Sequence, residues 1–293
     1  MKKQLTGNLL LILTVLIWGS TFVAQSVGMD SIGPFTFLAF RCVLAVVFLL
    51  PVIGLFERKH IQDYWKKWLD KKLWIAGIFC GLSLFAGAGL QQMSLVDTDA
   101  GKAGFLSALY VVFVPVIGLF LGKKPTFNVI VSLLFAVAGL YLLSCVGVTA
   151  IRPGDLLLVG SAFAFAIQIT LIDRMGAALD GLRLNCVQCF VCGILSLVTM
   201  FITETPRWDG ILSCWLPLGY AGVLSMGVAY SLQVMGQKHI EPTAASIIMS
   251  TESVVAALCG WWILNERMTS LELLGCALVF MAVVLSQVSF KKK

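Results

Sequence analysis

The chain has 293 residues, 59% of them hydrophobic and 12% charged, with a mean hydropathy of +0.95; soluble globular chains carry about 25% charged residues, so this composition belongs in a lipid bilayer. The formal charge of +6 does not point to nucleic acid, because the Lys and Arg side chains fall between apolar runs and form no patch beside aromatics. Nine Cys, an odd number, lie almost all inside apolar runs, so disulfides are not indicated.

The first element begins like a secretory signal, with two Lys before an apolar stretch. Its uncharged run from 4 to 29 exceeds the ~7–15 residues of a signal core, so it reads as a first span that is retained. A helix needs about 20 mostly apolar residues to cross the hydrocarbon. That criterion predicts ten spans, at 8–29, 33–55, 73–93, 102–121, 127–147, 154–172, 183–202, 213–236, 243–264 and 270–289. The sixth has the shortest uncharged core, 156–172. Residues 57–72, with aromatics among charges, read as an interfacial connection. Within the seventh span, Cys186, Cys189 and Cys192 form C-x2-C-x2-C. That spacing places small apolar side chains along one side of a helix; no fourth Cys follows at cluster spacing and no His is near, so no metal is expected. Both His60 and His239 lie in connections.

Counting Lys and Arg in alternate connections gives 16 on the side of the N-terminus and 4 on the other, with Arg41 inside a span. By the positive-inside rule both termini are cytoplasmic.

Two stretches recur. "GNLLLILTVLIWGSTFVAQSVGM" from Gly7 resembles "GDLLLVGSAFAFAIQITLIDRM" from Gly154, pairing Asn8 with Asp155 and Trp18 with Phe165. Residues 91–126 lie on 233–269 with one insertion, and Tyr110 then falls opposite Glu252. The copies divide the chain at 1–148 and 149–293. Five spans per copy is odd, so the second copy enters the membrane from the opposite side. The expected fold is an all-α integral membrane protein of ten transmembrane helices in two inverted-topology five-helix repeats. Such repeats characterise secondary transporters, whose site lies at mid-membrane between halves that rock around it.

The stretches "IWGSTFVA" (17–24), "FTFLAFRCVLA" (35–45), "LYVVFVPVIGLFLGKKP" (109–125), "GVAYSLQVMGQKHIEPTAASI" (227–247) and "TESVVAALCGWWILNERMT" (251–269) carry a resemblance to the drug/metabolite transporter superfamily. Their order and spacing are similar to its ten-helix EamA-type members over essentially the whole chain. The resemblance implies export of amino acids, related metabolites or toxic compounds. Two departures stand out: Phe165 where the family often has Trp, and Ser253 where Pro commonly follows the acid.

Charge at mid-membrane costs at least ~2.5–3.5 kcal/mol for Arg, Lys or Asp at helix centre. Glu252 lies in an uncharged run from Pro242 to Asn265, sharing a helix face with Ala245, Met249 and Ala256. It reads as a cavity residue that receives a substrate cation or exchanges a proton, or as a protonated carboxyl bonding a neighbouring helix. Arg41 meets a substrate carboxylate, or is structural and pairs with Asp97 or Asp99. Glu272 is close enough to a span end to be interfacial. Polar stripes face inward, since polar groups facing lipid are costly: Trp18, Thr21 and Gln25; Ser161, Phe165 and Gln168; Tyr230, Gln233 and Gln237; Ser107 and Tyr110. Trp18, Gln168 and Tyr230 suit recognition, with Gln25, Gln233 and Tyr110 beside them. Glycines within spans, as in 77–90, are expected to let helices touch.

The reading is a secondary transporter, outward-directed, for a small organic metabolite in a bacterial-type inner membrane. No G-x4-GK[ST] signature indicates ATP drive, no cofactor is expected, the proton is the candidate coupling ion, and monomer and homodimer both stay open. The alternative is an integral-membrane enzyme acting on a lipid-soluble substrate. It would need clustered acid, base or metal ligands near an interface, whereas the acids here are scattered.

Overall fold

Inside hydrocarbon every backbone N–H and C=O needs a partner within the protein, and an apolar run of about 20 residues meets that need by bonding internally as a helix. The structure, a computed structural model, describes residues 2–57, 61–96, 98, 100–144, 152–263 and 269–287. Among them the helices are α1 (Lys2–Met29), α2 (Pro34–Phe56), α3 (Ile61–Trp68), α4 (Lys71–Ser94), α5 (Ala100–Ser107), α6 (Tyr110–Phe120), α7 (Phe127–Ser144) and α8 (Pro153–Gly176). They continue with α9 (Gly181–Thr203), α10 (Trp208–Ser213), α11 (Trp215–Gly219), a π-helical stretch (Tyr220–Ala229), α12 (Tyr230–Gln237), α13 (Pro242–Met249), α14 (Glu252–Ile263) and α15 (Ser270–Gln287). Among the described residues eight segments are long and apolar enough to cross a membrane; Phe127–Leu142 and Ser270–Ser286 are shorter apolar helices. Both shorter ones run up to residues outside the described set.

Several expectations change. The sixth span is a 24-residue helix, longer than its uncharged core. Asp155 extends it at one end by accepting from the Arg152 amide at 2.8 Å, and Asp173 and Arg174 continue it at the other. The fourth and ninth spans are each broken, at 108–109 and at 250–251. The breaks are tightened turns: Val111 N–H reaches the Ala108 carbonyl and Thr251 N–H the Ile248 carbonyl, three residues back. The eighth span widens into π geometry. There Asn185 of α9 donates to the Met226 and Gly227 carbonyls at 2.9 and 3.0 Å, and Thr14 of α1 donates to the Ala229 carbonyl at 3.2 Å. Side chains from neighbouring helices thus satisfy carbonyls inside the irregular stretch. The connection at 57–72 contains α3. Glu272 closes a capping box, accepting from the Thr269 amide at 2.6 Å.

Packing repeats with the halves exchanged. Span one (α1) packs on the eighth and ninth spans, and span six (α8) packs on the third and fourth. The second and seventh (α2, α9) pair across the halves, as do the fifth and tenth (α7, α15). Glycine allows the closest approaches. A Cβ on Gly139 would lie 2.7 Å from the Gly275 carbonyl oxygen, and one on Gly77 only 2.3 Å from Val187 Cγ1. The α2–α9 pair is antiparallel. Glu57, just past the end of α2, holds Arg183 at the start of α9 with a 2.9 Å bond from Nη1 and a second from Nη2. Glu204, just past the end of α9, accepts from the Phe35 and Thr36 amides at 2.7 and 2.8 Å at the start of α2. Carrying on the register that pairs Trp18 with Phe165 matches Thr36 with Arg183 and Glu57 with Glu204. The equivalent helices α2 and α9 therefore run in opposite directions, as the inverted arrangement requires.

Candidate functional site

The two broken spans meet at the centre. Tyr110 opens α6 and Glu252 opens α14, and the Tyr110 hydroxyl donates to Glu252 Oε1 at 3.0 Å. Residues that the repeat alignment places opposite one another are thus in direct contact, and Glu252 is only 5% exposed. Around this pair lies a cavity of about 40 Å³, room for a few waters. Its polar wall includes Gln25, Arg41, Gln91, Gln168 and Gln233, and its aromatic wall Trp18, Phe165 and Tyr230. The Trp18 and Tyr230 rings stack at 4.7 Å, tilted by 56°.

The two intramembrane charges, Arg41 and Glu252, and the six residues read as suited to recognition, Trp18, Gln25, Tyr110, Gln168, Tyr230 and Gln233, line this one cavity. Arg41 is 3% exposed. It donates from Nη1 to Gln25 Oε1 at 2.6 Å and lies over the Phe37 ring at 5.9 Å. Asp97 and Asp99, its expected loop partners, lie outside the described residues. Among the described residues no carboxylate comes within 4 Å of Arg41, and its Nε has no hydrogen-bond partner, nor has Trp18 Nε1. Gln168 and Gln233 exchange amide bonds at 3.2 and 3.4 Å, and Gln188 joins Gln168 at 3.2 Å. The Gln168 and Gln233 amides thus tie α8 to α12 at the cavity wall.

Of the other stripe residues, Thr21 and Phe165 also line the cavity, while Ser161, Ser107 and Gln237 bond neighbouring helices. Ser161 donates to the Gly87 carbonyl at 2.8 Å, Ser107 accepts from Gln91 at 3.0 Å, and Gln237 donates to the Ile169 carbonyl at 3.3 Å. Among the described residues no group of three or more His, Cys, Asp or Glu is placed to hold a metal. The Cys186–Cys192 row is buried, with Cys192 Sγ 3.6 Å from Cys42 Sγ of α2.

The sequence pattern of the EamA-like transporter family matches twice, over residues 5–145 and 152–287. The chain belongs to the EamA-like transporter family. It is 30% identical to an uncharacterized transporter of Archaeoglobus fulgidus over 97% of this chain and 86% of that one. It is 24% identical to the uncharacterized transporter YoaV of Bacillus subtilis, over 100% and 99%. It is 23% identical to the uncharacterized inner membrane transporter YedA of Escherichia coli K12, over 92% and 87%. A crystal structure at 18% identity, covering 96% of both chains, superposes with a TM-score of 0.79 and shares the fold.

This EamA-like protein is a multi-pass membrane transporter. With Ser253 where the family commonly has Pro, the break at 250–251 is still present, and the Ser253 hydroxyl donates to the Gly104 carbonyl at 3.0 Å, tying the two broken spans together. Phe165 keeps an aromatic wall where Trp is common. Gln91 and Ser225 line the cavity without having been singled out beforehand. Gln91 was within reach, since the alignment pairs it with Gln233. Ser225 was not, because its place depends on the π geometry.

Proposed function

We propose that this transporter moves a zwitterionic metabolite of the amino-acid class outward by alternating access between two inverted repeats, 1–148 and 149–293, with both termini in the cytoplasm of a cell with a bacterial-type inner membrane. The supporting observation is that Arg41 and Glu252 line one cavity without an ion pair between them. A cation and a carboxylate held apart at span depth each cost several kcal/mol. A ligand carrying the opposite charge at each end offsets both. Arg41 receives the carboxylate, its free Nε adding a donor; Glu252 receives the ammonium; Trp18, Tyr230 and Phe165 flank the side chain. The cavity volume of about 40 Å³ is far below the ~300–1,000 Å³ of ligand sites, so the walls part to load. Glu252 is also the group at which a proton is exchanged for substrate.

The test is a thermal-shift screen of the purified protein against the twenty common amino acids, their decarboxylated amines and their deaminated acids. At least one amino acid should raise Tm, its amine and acid should do so far less, and Glu252→Gln or Arg41→Gln should remove the shift. If no amino acid stabilises the protein, or amine and zwitterion act alike, the substrate class is wrong. Proteoliposomes loaded with the stabilising amino acid then test coupling. An imposed pH gradient should drive accumulation in wild type, while Glu252→Gln supports exchange only.

A further inference from the structure

The short helix α3 has two unlike sides. One side is fastened down. The Arg183 guanidinium, 1% exposed, lies 5.3 Å from the Tyr64 ring centre and 5.4 Å from that of Trp68, while Lys67 pairs with Glu57. Tyr64 and Trp68 also pack against Leu49, Ile53 and Cys186 of α2 and α9. The other side is open: Trp65 is 65% exposed, Leu69 78% and Phe56 79%. Among them stand Lys66, Lys71 and Lys72, all exposed. None of the three is in an ion pair among the described residues. Apolar and aromatic side chains at a span end sit in the headgroup region of a bilayer, and juxtamembrane lysines attract anionic lipid at about 1 kcal/mol each.

We infer that this face of α3, with Phe56 and the start of α4, is a docking surface for an anionic phospholipid of the adjacent leaflet. The phosphate meets Lys66, Lys71 and Lys72, and the acyl chain lies along Phe56, Trp65 and Leu69. Charge complementarity selects this occupant. Three unpaired lysines around an apolar patch would repel one another in a complex with a basic or neutral partner, whereas one lipid supplies both the anion and the hydrocarbon. Arg183 fastens α3, which carries Lys66, while Lys71 and Lys72 begin α4, so all three lysines stand on helices and docking does not have to order a loop. The occupant also braces the junction of α2 with α9.

Brominated-lipid quenching of Trp65, taken as the difference between wild type and Trp65→Phe, tests this in nanodiscs containing brominated phosphatidylglycerol or brominated phosphatidylcholine. Wild type should prefer phosphatidylglycerol by at least about fivefold, the equivalent of one lysine contact. The preference should fall toward one in K66Q/K71Q/K72Q and in wild type at high salt. It should persist in K3Q/K124Q/R174Q, which removes as much positive charge elsewhere on the same face. Added inorganic phosphate should leave it unchanged. A wild type without preference, a triple variant that keeps it, a preference insensitive to salt, or an equal loss in the control variant would each overturn the site. The salt arm needs no substitution of the lysines, so misfolding of a variant does not protect the proposal. The measurement uses no transport substrate and stands or falls apart from the amino-acid reading.

Discussion

At the scale of single residues, the clearest energetic statement concerns Glu57. Hydrogen bonds from Arg183, joined by Lys67, hold its carboxyl well below the ordinary range, at about 2. A carboxylate whose folded pKa is depressed stabilises the fold above its unfolded pKa of about 4.3 and loses that contribution as pH falls toward the folded value. Arg183 stays charged throughout. Thermal stability should therefore be insensitive to this pair between pH 5.5 and 8, and Glu57→Gln should cost about 1.5–3 kcal/mol over that range, as expected for bonds to a charged group. The gap between wild type and variant should narrow only below about pH 4.3. Scanning fluorimetry across pH checks it, and a gap that closes between pH 6 and 7 would assign the effect to another group. The burial of Lys238 lowers its pKa, and its ammonium donates to the Leu179 carbonyl at the same face. Neither pairing was legible in the sequence, where Glu57, Lys67 and Arg183 are merely loop charges. Contacts made by long side chains across 126 residues leave no trace in local pattern, although the repeat register would have paired Glu57 with Glu204.

At the scale of elements, the helices were legible and their irregularities were not. Apolar runs mark the spans because hydrocarbon tolerates few alternatives. The breaks at 108–109 and 250–251 carry neither Gly nor Pro, and the π stretch "YAGVLSMGVA" contains no Pro, so propensity gives no warning. Their causes are tertiary. Asn185 supplies the bonds the π stretch needs: beyond the two carbonyls, it reaches Ser231 Oγ at 2.8 Å. Replacing it with Leu keeps the volume and leaves those carbonyls inside the bundle without their donor. A loss of about 1–3 kcal/mol should follow, read as a lower Tm. Thr14→Val should also destabilise, and because Thr14 bonds the same stretch the two losses should not add. Additive losses would mean the two side chains act on separate structures. The cavity residues were legible for a different reason: polar or charged groups at span depth are rare, and the structure gathers all eight of those chosen. Ser225 and Gln91 escaped because a small hydroxyl and an amide near a span end look like packing residues.

For the whole molecule, the proposed alternating access raises the question of which parts would move to open the cavity. Two five-helix halves rocking as rigid bodies would have to separate α2 from α9, since each belongs to a different half. That pair is fastened at both ends, by Glu57 with Arg183 and by Glu204 with Phe35 and Thr36. Between the ends, Cys42 Sγ lies 3.6 Å from Cys192 Sγ. The link between the end of α6 and α8 is lighter. Lys123, beyond α6, holds Asp173 of α8 at 2.7 Å, and the Lys123 side chain is 52% exposed. Exposed ion pairs contribute about 0–1 kcal/mol, a strength suited to repeated opening. The α2–α9 pair should then persist as a spine while α6 and α8 part. Oxidation by copper phenanthroline, removing one proton and one electron from each thiol, should join Cys42 to Cys192 and leave counterflow of the stabilising amino acid unchanged relative to Cys42→Ser. In K123C/D173C on the Cys42→Ser background, the same oxidant should stop counterflow and a reductant should restore it. Reversible inhibition of wild type with an unaffected Cys42→Ser would show that α2 and α9 separate in every cycle. Uninhibited counterflow through a cross-linked K123C/D173C would place the gate elsewhere. The outcome matters beyond the mechanism of opening, because a spine that never opens fixes Arg41, one residue before Cys42, as the stationary charge. Glu252 opens α14 and bonds Tyr110 at the start of α6, so parting α6 from α8 would disturb its surroundings while leaving those of Arg41 in place.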